Sequence, residues 1–338
     1  MALASAIGTD APLLDIRGLK THFSTDDGVV HAVDGVDIRI DRGETVCVVG
    51  ESGCGKTVTA HSVLKLIAMP PGKIVAGQIL WQGRDLVPLD AGAMSEVRAK
   101  EIAIVFQEPM TSLNPVYTVG EQIAEVVRLH QGLSRRAALE KAVEMLKLVH
   151  IPNPAKRVND YPHQFSGGMR QRVKIAMALS CNPKLLIADE PTTALDVTIQ
   201  AQILELLQEM KSRFGMAIML ITHAMGVVAE TAHRVVVMYA GKVVEEAGVE
   251  QLFAEPRHPY TQGLIRSIPR LDLAATHRVR LETIAGVVPK LIDPPVGCRF
   301  APRCRFATPE CTQAQPPLRE IEAGHRVACI HAEQTVLQ

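Results

Sequence analysis

The sequence has few aromatic residues and no net charge. Phe, Trp and Tyr make up 4% of the 338 residues, and 36 Lys and Arg balance 36 Asp and Glu. Proteins that bind nucleic acids usually stack bases on aromatic side chains or present a basic surface to the phosphates. The composition favours neither mode, so we expect no nucleic-acid partner.

Long hydrophobic runs and a positively charged leader are also missing. The apolar runs are much shorter than the roughly 18 residues that define a membrane-spanning helix. The first basic side chain is Arg17, whereas a secretory signal begins with positive charge. We therefore expect that the chain does not cross a membrane. Binding to a membrane protein is still compatible with the sequence.

Cysteine is sparse through most of the chain and clustered near its end. Four of the seven cysteines fall in the last 41 residues, and ten of the 21 prolines lie from Pro256 onward. This change in composition predicts a boundary near Glu255, with one domain over residues 1–255 and a second over 256–338. Disulfides are improbable in a reducing compartment. A metal site and four free buried thiols are both compatible with the cluster.

The first part of the chain alternates strand and helix patterns. Short apolar runs at 45–50, 184–189 and 216–222 are typical of buried parallel strands. Residues 197–214 have helical spacing and complete a strand–helix–strand unit. Residues 119–149 are helical in pattern, with no strand signal. The sequence therefore predicts an α/β fold with a helical insertion.

A glycine-rich segment after the first of these strands fits the phosphate-loop pattern G-x-x-x-x-G-K-[ST]. Its glycines allow backbone N–H groups to surround phosphate oxygens, and the following helix directs its positive end to the same anion. Lys56 is suited to reach the β- and γ-phosphates of ATP, and the Thr57 hydroxyl to bind Mg²⁺. The alternative is a structural glycine turn, which the strand–loop–helix context disfavours. The predicted ATP-binding residues are Gly50, Glu51, Ser52, Gly53, Cys54, Gly55, Lys56 and Thr57.

Two carboxylates follow the strand at 184–189. Asp189 is suited to hold Mg²⁺, directly or through water, and Glu190 to orient and deprotonate a water that attacks the γ-phosphate. For an isolated Asp-Glu pair, a solvated loop would be the better explanation. The phosphate loop elsewhere in the chain favours the functional interpretation.

A Ser-Gly-Gly segment precedes this strand, at Ser166, Gly167 and Gly168, with Met169 following. It could simply cap a helix. The order of the motifs, however, resembles that of the ATP-binding subunits of ABC transporters over residues 12–250. Their signature is Leu-Ser-Gly-Gly-Gln, from which this chain departs at Phe165 and Met169. In that family the signature contacts the ATP of the opposite subunit, so the resemblance implies a head-to-tail dimer with two ATP molecules at its interface.

The resemblance implies further roles, position by position. Gln107 corresponds to the glutamine that senses Mg²⁺ and water, Asp196 to the D-loop aspartate, and His223 to the switch histidine that contacts the γ-phosphate. The family usually has Asp after this histidine, where this chain has Ala224. Phe23 is the candidate for stacking on adenine; a core position is the alternative, and His22 and His31 are polar alternatives nearby.

Three segments narrow the resemblance to the dipeptide, oligopeptide and nickel importer branch: 106–115, 189–203 and 258–261. The implied function is hydrolysis of ATP to drive the import of dipeptides or oligopeptides. Nickel, glutathione or another small solute is the alternative cargo, and a non-transport ABC ATPase is a weaker alternative. The implied partners are a homologous but distinct ATP-binding subunit, two membrane permease subunits and an extracytoplasmic peptide-binding protein. The implied location is peripheral, at the cytoplasmic face of the inner membrane.

The clustered cysteines have the spacing C-x5-C-x6-C-x17-C, without the C-x2–4-C pairs that structural zinc sites favour. The resemblance implies that Cys298, Cys304, Cys311 and Cys329 ligate a [4Fe–4S] cluster. It also implies the fold: a P-loop ABC cassette with a RecA-like core, an antiparallel β subdomain and a helical subdomain over about 115–175. A small metal-stabilised C-terminal domain would follow it.

Overall fold

The computed structural model describes residues 11–107, 112–193, 195–268 and 283–334. The predicted alternation of strands and helices is confirmed, and the described strands form two sheets. Within the described part of the chain, none of the helices combines the length and the apolarity that crossing a bilayer requires.

A four-stranded antiparallel sheet has the order β2-β1-β4-β5. Its strands are β1 (Leu14–Thr25), β2 (Gly28–Ile40), β4 (Gly72–Trp81) and β5 (Arg84–Asp85). This is the antiparallel sheet that the family resemblance implies. It packs an apolar face, which includes Ile16 and Ile38, against the larger sheet.

The larger sheet has eight strands in the order β11-β12-β10-β9-β3-β8-β7-β6. The run from β9 to β6 is parallel, and β10, β12 and β11 add antiparallel strands at one edge. The strands are β3 (Thr45–Val49), β6 (Ile102–Val105), β7 (Leu185–Asp189), β8 (Ala217–Thr222), β9 (Arg234–Tyr239), β10 (Lys242–Gly248), β11 (Arg319–Glu322) and β12 (His325–Val327).

Helices and the smaller sheet cover the two faces of the larger sheet. Alternate residues of β3 divide between them, since Val46 and Val48 belong to one apolar cluster and Cys47 and Val49 to the other. The helices are α1 (Lys56–Val63), α2 (Ala91–Val97), α3 (Val119–Gln131), α4 (Arg135–Leu148), α5 (Pro154–Arg157), α6 (Gly167–Leu179), α7 (Val197–Phe214), α8 (Met225–Thr231), α9 (Val249–Ala254) and α10 (Pro259–Arg266).

The segment predicted to be helical from 119 to 149 forms two helices. Gly132, with φ of 66°, ends α3, and the Ser134 side chain accepts a hydrogen bond from the Ala137 N–H at the start of α4. A glycine in this left-handed conformation is a common helix terminator. The apolar spacing does not reveal this break, because both helices carry apolar residues at helical spacing.

The C-terminal tail adds strands to the larger sheet. Strand β12 pairs with β10, and the His325 Nε2 atom lies 2.8 Å from the Glu245 Oε1 atom, with both side chains fully buried. Tyr260 and Phe300 belong to the same apolar cluster as the helices. The described tail residues therefore pack on the core of the preceding 255 residues, which compensates for their weak apolar pattern.

Candidate functional site

The phosphate-loop segment connects β3 to α1, as predicted. Gly50, Gly53 and Gly55 have φ of 149°, 78° and 102°, a region that side chains disfavour. A Cβ atom on Gly50 would lie 2.2 Å from the Met238 carbonyl oxygen, and one on Gly55 would lie 2.4 Å from that of Ala32. Two of these glycines are therefore required both for backbone conformation and for close packing.

Lys56 is the first residue of α1, and its side chain turns back into the loop. Its Nζ atom donates hydrogen bonds to the carbonyl oxygens of Gly50 and Glu51, at 2.8 and 3.0 Å. The buried Cys54 lies beside it, and burial raises the pKa of the Cys54 thiol. Burial of this kind disfavours the thiolate that redox chemistry needs, so Cys54 acts as a small packed residue of the loop.

Asp189 and Thr57 meet at the end of β7. The Thr57 hydroxyl donates to Asp189 Oδ1 at 3.2 Å, while the fully buried Asp189 has no partner for Oδ2 among the described residues. Burial raises the pKa of Asp189 to about 6. A buried carboxylate with an unused oxygen beside a hydroxyl fits the oxygen ligands that Mg²⁺ prefers.

Three residues predicted from separate motifs converge at adjacent strand ends. Glu190 Oε2 accepts hydrogen bonds from Gln107 Nε2 at 2.9 Å and from the Thr193 hydroxyl at 2.8 Å. Glu190 Oε1 lies 3.4 Å from His223 Nδ1. Strands β6, β7 and β8 are neighbours and parallel, so their carboxyl ends bring Gln107, Glu190 and His223 together. Glu190 has φ of 44°, strain of the kind found at functional sites.

His223 is exposed over 64% of its side chain. The next residue, Ala224, precedes α8 and supplies no side-chain cap; its N–H donates to the Thr222 hydroxyl at 3.0 Å. Although Ala224 replaces the aspartate that is usual in the family, this hydrogen bond to Thr222 still holds the backbone of the turn.

The Ser-Gly-Gly segment begins α6. The Ser166 side chain accepts a hydrogen bond from the Met169 N–H, so the helix-capping interpretation is confirmed. Ser166 and Gly167 are nevertheless exposed. Gly168 is buried, and a Cβ atom there would lie 2.6 Å from the Ile199 side chain. Phe165, where the family has Leu, is a core residue that is 3% exposed.

Asp196 and Phe23 each have a structural role within the chain: Asp196 caps a helix, and Phe23 packs on a strand. Asp196 caps α7 by accepting a hydrogen bond from the Ile199 N–H at 2.9 Å. Phe23 lies half-buried on β1, where its ring would be 2.8 Å from a Cβ atom on Gly72. Near it, the rings of His22 and His31 have centroids 4.1 Å apart. The roles predicted for Asp196 and Phe23 toward ATP remain predictions.

The four tail cysteines line one cavity. The Cys311 sulfur accepts from the Thr308 N–H at 3.5 Å, and the Cys329 sulfur from the His331 N–H at 3.4 Å. None of the four sulfurs forms a disulfide, and no three of them lie within 4.8 Å of one another. The fold therefore brings together the four cysteines that the family resemblance implies as one ligand set.

Two tail residues that sequence reasoning missed contact the phosphate loop. The Arg303 guanidinium binds the Glu51 carboxylate, and the Tyr260 hydroxyl accepts a hydrogen bond from the Glu51 N–H at 2.7 Å. Tyr260 lies in the segment 258–261, which the sequence offers only as a mark of the family, and Arg303 directly precedes Cys304. No local spacing signal connects them to a loop more than 200 residues away.

Comparison with known proteins agrees with these features. The family model described as "ABC transporter" matches residues 33–193, which include the phosphate loop and Asp189. The model described as "Oligopeptide/dipeptide transporter, C-terminal region" matches residues 244–311, which include three of the four clustered cysteines.

Three relatives match over almost their full length. A probable peptide ABC transporter ATP-binding protein of Sinorhizobium fredii is 55% identical, with 96% of each chain covered. An oligopeptide transport ATP-binding protein of Bacillus subtilis is 52% identical, covering 93% of this chain and 87% of that protein. A dipeptide transport ATP-binding protein of Haemophilus influenzae is 48% identical, with 94% of each covered.

Solved structures give the same result for the fold. An ATP-binding cassette, solved as a dimer in a post-hydrolysis state with ADP and Pi, superposes with a TM-score of 0.62 at 27% identity. The match covers 70% of this chain and 98% of that one. A Clostridium perfringens protein, part of an ABC transporter complex, has the same TM-score and identity, with 72% and 92% covered. The chain therefore has the ABC cassette fold and belongs to the family of ATP-binding proteins of peptide and oligopeptide ABC importers.

Proposed function

We propose that this chain hydrolyses ATP to drive the import of dipeptides or oligopeptides through separate membrane subunits. The observation that carries the proposal is the convergence of Gln107, Glu190 and His223 at adjacent strand ends. The names of the relatives, which are peptide, oligopeptide and dipeptide transport proteins, support the cargo class. Nickel, glutathione or another small solute remains the alternative cargo.

Glu190 is the proposed general base. Gln107 and Thr193 hold one carboxylate oxygen, so the other is oriented toward His223 and can accept a proton from an attacking water. Lys56 and the loop N–H groups hold the phosphates, and His223 contacts the γ-phosphate. Thr57, Gln107 and Asp189 would hold Mg²⁺, which offsets negative charge on the phosphates when bound.

A second cassette completes the proposed site. Ser166 and Gly167 are exposed at the start of α6, where backbone N–H groups and the positive helix end favour an anion. We assign them, with Gly168 and Met169, to the ATP of the opposite subunit, with Asp196 at the same interface. A dimeric solved relative supports this arrangement. The second subunit is proposed to be a homologous but distinct chain.

The remaining partners follow from the importer assignment. Two permease subunits would carry the channel, and an extracytoplasmic binding protein would select the peptide. The cassette would then sit peripherally at the cytoplasmic face of the inner membrane. Closure of the two cassettes around ATP, and reopening after hydrolysis, would be transmitted through the Gln107 region and the helices between β6 and β7.

The experiment that tests this function measures uptake. Proteoliposomes that contain the full importer should accumulate a labelled dipeptide or oligopeptide when ATP is supplied to the cassette side, and ADP should not replace ATP. Excess unlabelled peptide should compete, whereas Ni²⁺ and glutathione should not. Competition by Ni²⁺ or glutathione alone would reassign the cargo and leave the ATPase assignment intact.

We assign Cys298, Cys304, Cys311 and Cys329 to a [4Fe–4S] cluster. The support is their position around one cavity and the N–H donors to two of the sulfurs. Burial raises the pKa of Cys329 to about 11, so ligation of a metal there would release the thiol proton. The cluster would act first as a structural crosslink of the tail.

Replacing all four cysteines by serine should remove the cluster. Protein purified without oxygen should contain about four iron atoms per chain and absorb at about 400 nm. The variant should lose both the iron and this absorbance. Because a bound cluster stabilises the folded tail, the variant's tail should also be cleaved faster by protease. Cys181→Ser, outside the cavity, is the matched control. Zinc instead of iron in anaerobically purified protein would contradict the assignment.

A further inference from the structure

A buried arginine of the tail forms a two-pronged ion pair with the phosphate loop. Arg303 Nη1 donates to Glu51 Oε2 at 2.6 Å, and Arg303 Nη2 donates to Glu51 Oε1 at 3.0 Å. The Arg303 side chain is 4% exposed and that of Glu51 30%. Bidentate pairs of this kind are strong and directional. Glu51 is the second residue of the loop, so the tail fixes one of the loop's own side chains.

Neighbouring groups hold the guanidinium in this position. Its Nε atom donates to the Ala285 carbonyl at 2.9 Å, and Nη2 donates to that of Ile284 at 3.1 Å. Nη1 also donates to the Tyr239 hydroxyl at 3.3 Å, and the guanidinium lies 5.7 Å from the centre of that ring. The side chain is therefore held by several groups besides Glu51, and the pairing with Glu51 raises the pKa of Arg303.

The backbone of Glu51 is held as well. Its N–H donates to the hydroxyl of the fully buried Tyr260, which packs against Tyr239 with ring centroids 4.7 Å apart. Its carbonyl accepts a hydrogen bond from Lys56, the residue proposed to bind the phosphates. That carbonyl also accepts a hydrogen bond from the Cys54 N–H at 3.3 Å. Both ends of Glu51 are thus bound, and two of its four hydrogen-bond partners, Tyr260 and Arg303, belong to the tail.

The negative charge of Glu51 explains how the ion pair with Arg303 can affect ATP binding. A carboxylate in a loop that binds a triphosphate repels its ligand, and the repulsion is strong where water is partly excluded. A paired arginine cancels that charge and holds the carboxylate on the tail side of the loop. We propose that Arg303 is a positioning residue for ATP binding, through which the tail sets the affinity of the phosphate loop. This inference rests on the proposed ATP site.

A double-mutant cycle on the full chain tests the inference. The equilibrium dissociation constant for ATP should rise on the order of tenfold in Arg303→Met, because Glu51 is left unpaired near the phosphates. In the Glu51→Gln background the same Arg303→Met change should raise it by less than about threefold, since no charge remains to be cancelled. In the assembled importer, the KM for ATP should rise in Arg303→Met with little change in kcat.

The controls separate positioning from folding. Arg305→Met changes an exposed arginine two residues further on and should leave ATP affinity unaltered. Should Arg303→Met not fold, Arg303→Lys keeps the charge and should raise the dissociation constant by about two- to threefold, again less with Glu51→Gln. Equal effects of the Arg303 changes in both backgrounds would overturn the inference. Failure of the unaltered chain to bind ATP would instead overturn the ATP site itself.

Discussion

Glu190→Gln should lower ATP turnover by about 10²–10⁴-fold while ATP binding survives. The amide keeps an oxygen that can accept the hydrogen bonds now donated by Gln107 and Thr193. Glutamine has nearly the same shape as glutamate, so the positions of the three strand ends should not change. What disappears is the basic oxygen, and with it the group that would take the proton from water.

The measurement is phosphate release in the reconstituted importer, with ATP binding measured on the same preparation. Glu205→Gln, which changes an exposed glutamate of α7, is the matched control and should turn over ATP at the unaltered rate. The variant should also hold two cassettes together in ATP for longer, because the nucleotide that joins them is not hydrolysed. Turnover within a few-fold of the unaltered protein would rule out Glu190 as the base.

Local sequence signals predicted the ends of the three strands, whereas the roles of Gln107 and His223 were implied by the family resemblance. A strand that ends in Asp-Glu, a strand that ends near Gln107 and a strand that ends before His223 are each visible as short apolar runs. Parallel strands put their carboxyl ends at one edge, so the convergence follows from the fold class. The phosphate loop was equally accessible, since its glycines, lysine and threonine have fixed spacing.

The contacts of the tail could not be predicted in this way. Arg303 and Glu51 are 252 residues apart, and neither has a neighbour whose spacing reveals the other. Strand β12 is three residues long and carries only one fully apolar residue, Val327, which is too little for a periodicity argument. The tail was therefore predicted as a separate proline-rich unit, although its described residues extend the sheet and reach the phosphate loop.

A pair of variants should separate the two halves of the proposed composite site. Lys56→Ala should reduce ATP binding at this chain's own phosphate loop, because the loop loses its buried ammonium group. Gly167→Asp should leave that loop intact and instead place a carboxylate against the γ-phosphate held by the partner cassette. Each change should lower ATP turnover of the assembled importer by about 10²-fold or more.

Gly167 is a suitable position because the chain itself tolerates a side chain there. A Cβ atom would meet Leu195 at 3.6 Å, an ordinary contact, whereas one on Gly168 would lie 2.6 Å from Ile199. An aspartate in the first turn of α6 also suits the helix dipole, so the variant should fold normally. Gly167→Ala, which adds no charge, should be much less impaired.

The readout is photolabelling of the assembled importer with an azido-ATP. The two cassettes are then separated, and the amount of label on each is measured. Lys56→Ala should remove label from this chain, and Gly167→Asp should remove it from the partner. Loss of label from only one cassette in each variant is informative, because a defect in folding or assembly would lower the label on both cassettes together. Loss of this chain's own label in Gly167→Asp would mean that the Ser-Gly-Gly segment serves the ATP of its own subunit, and the head-to-tail arrangement would have to be abandoned.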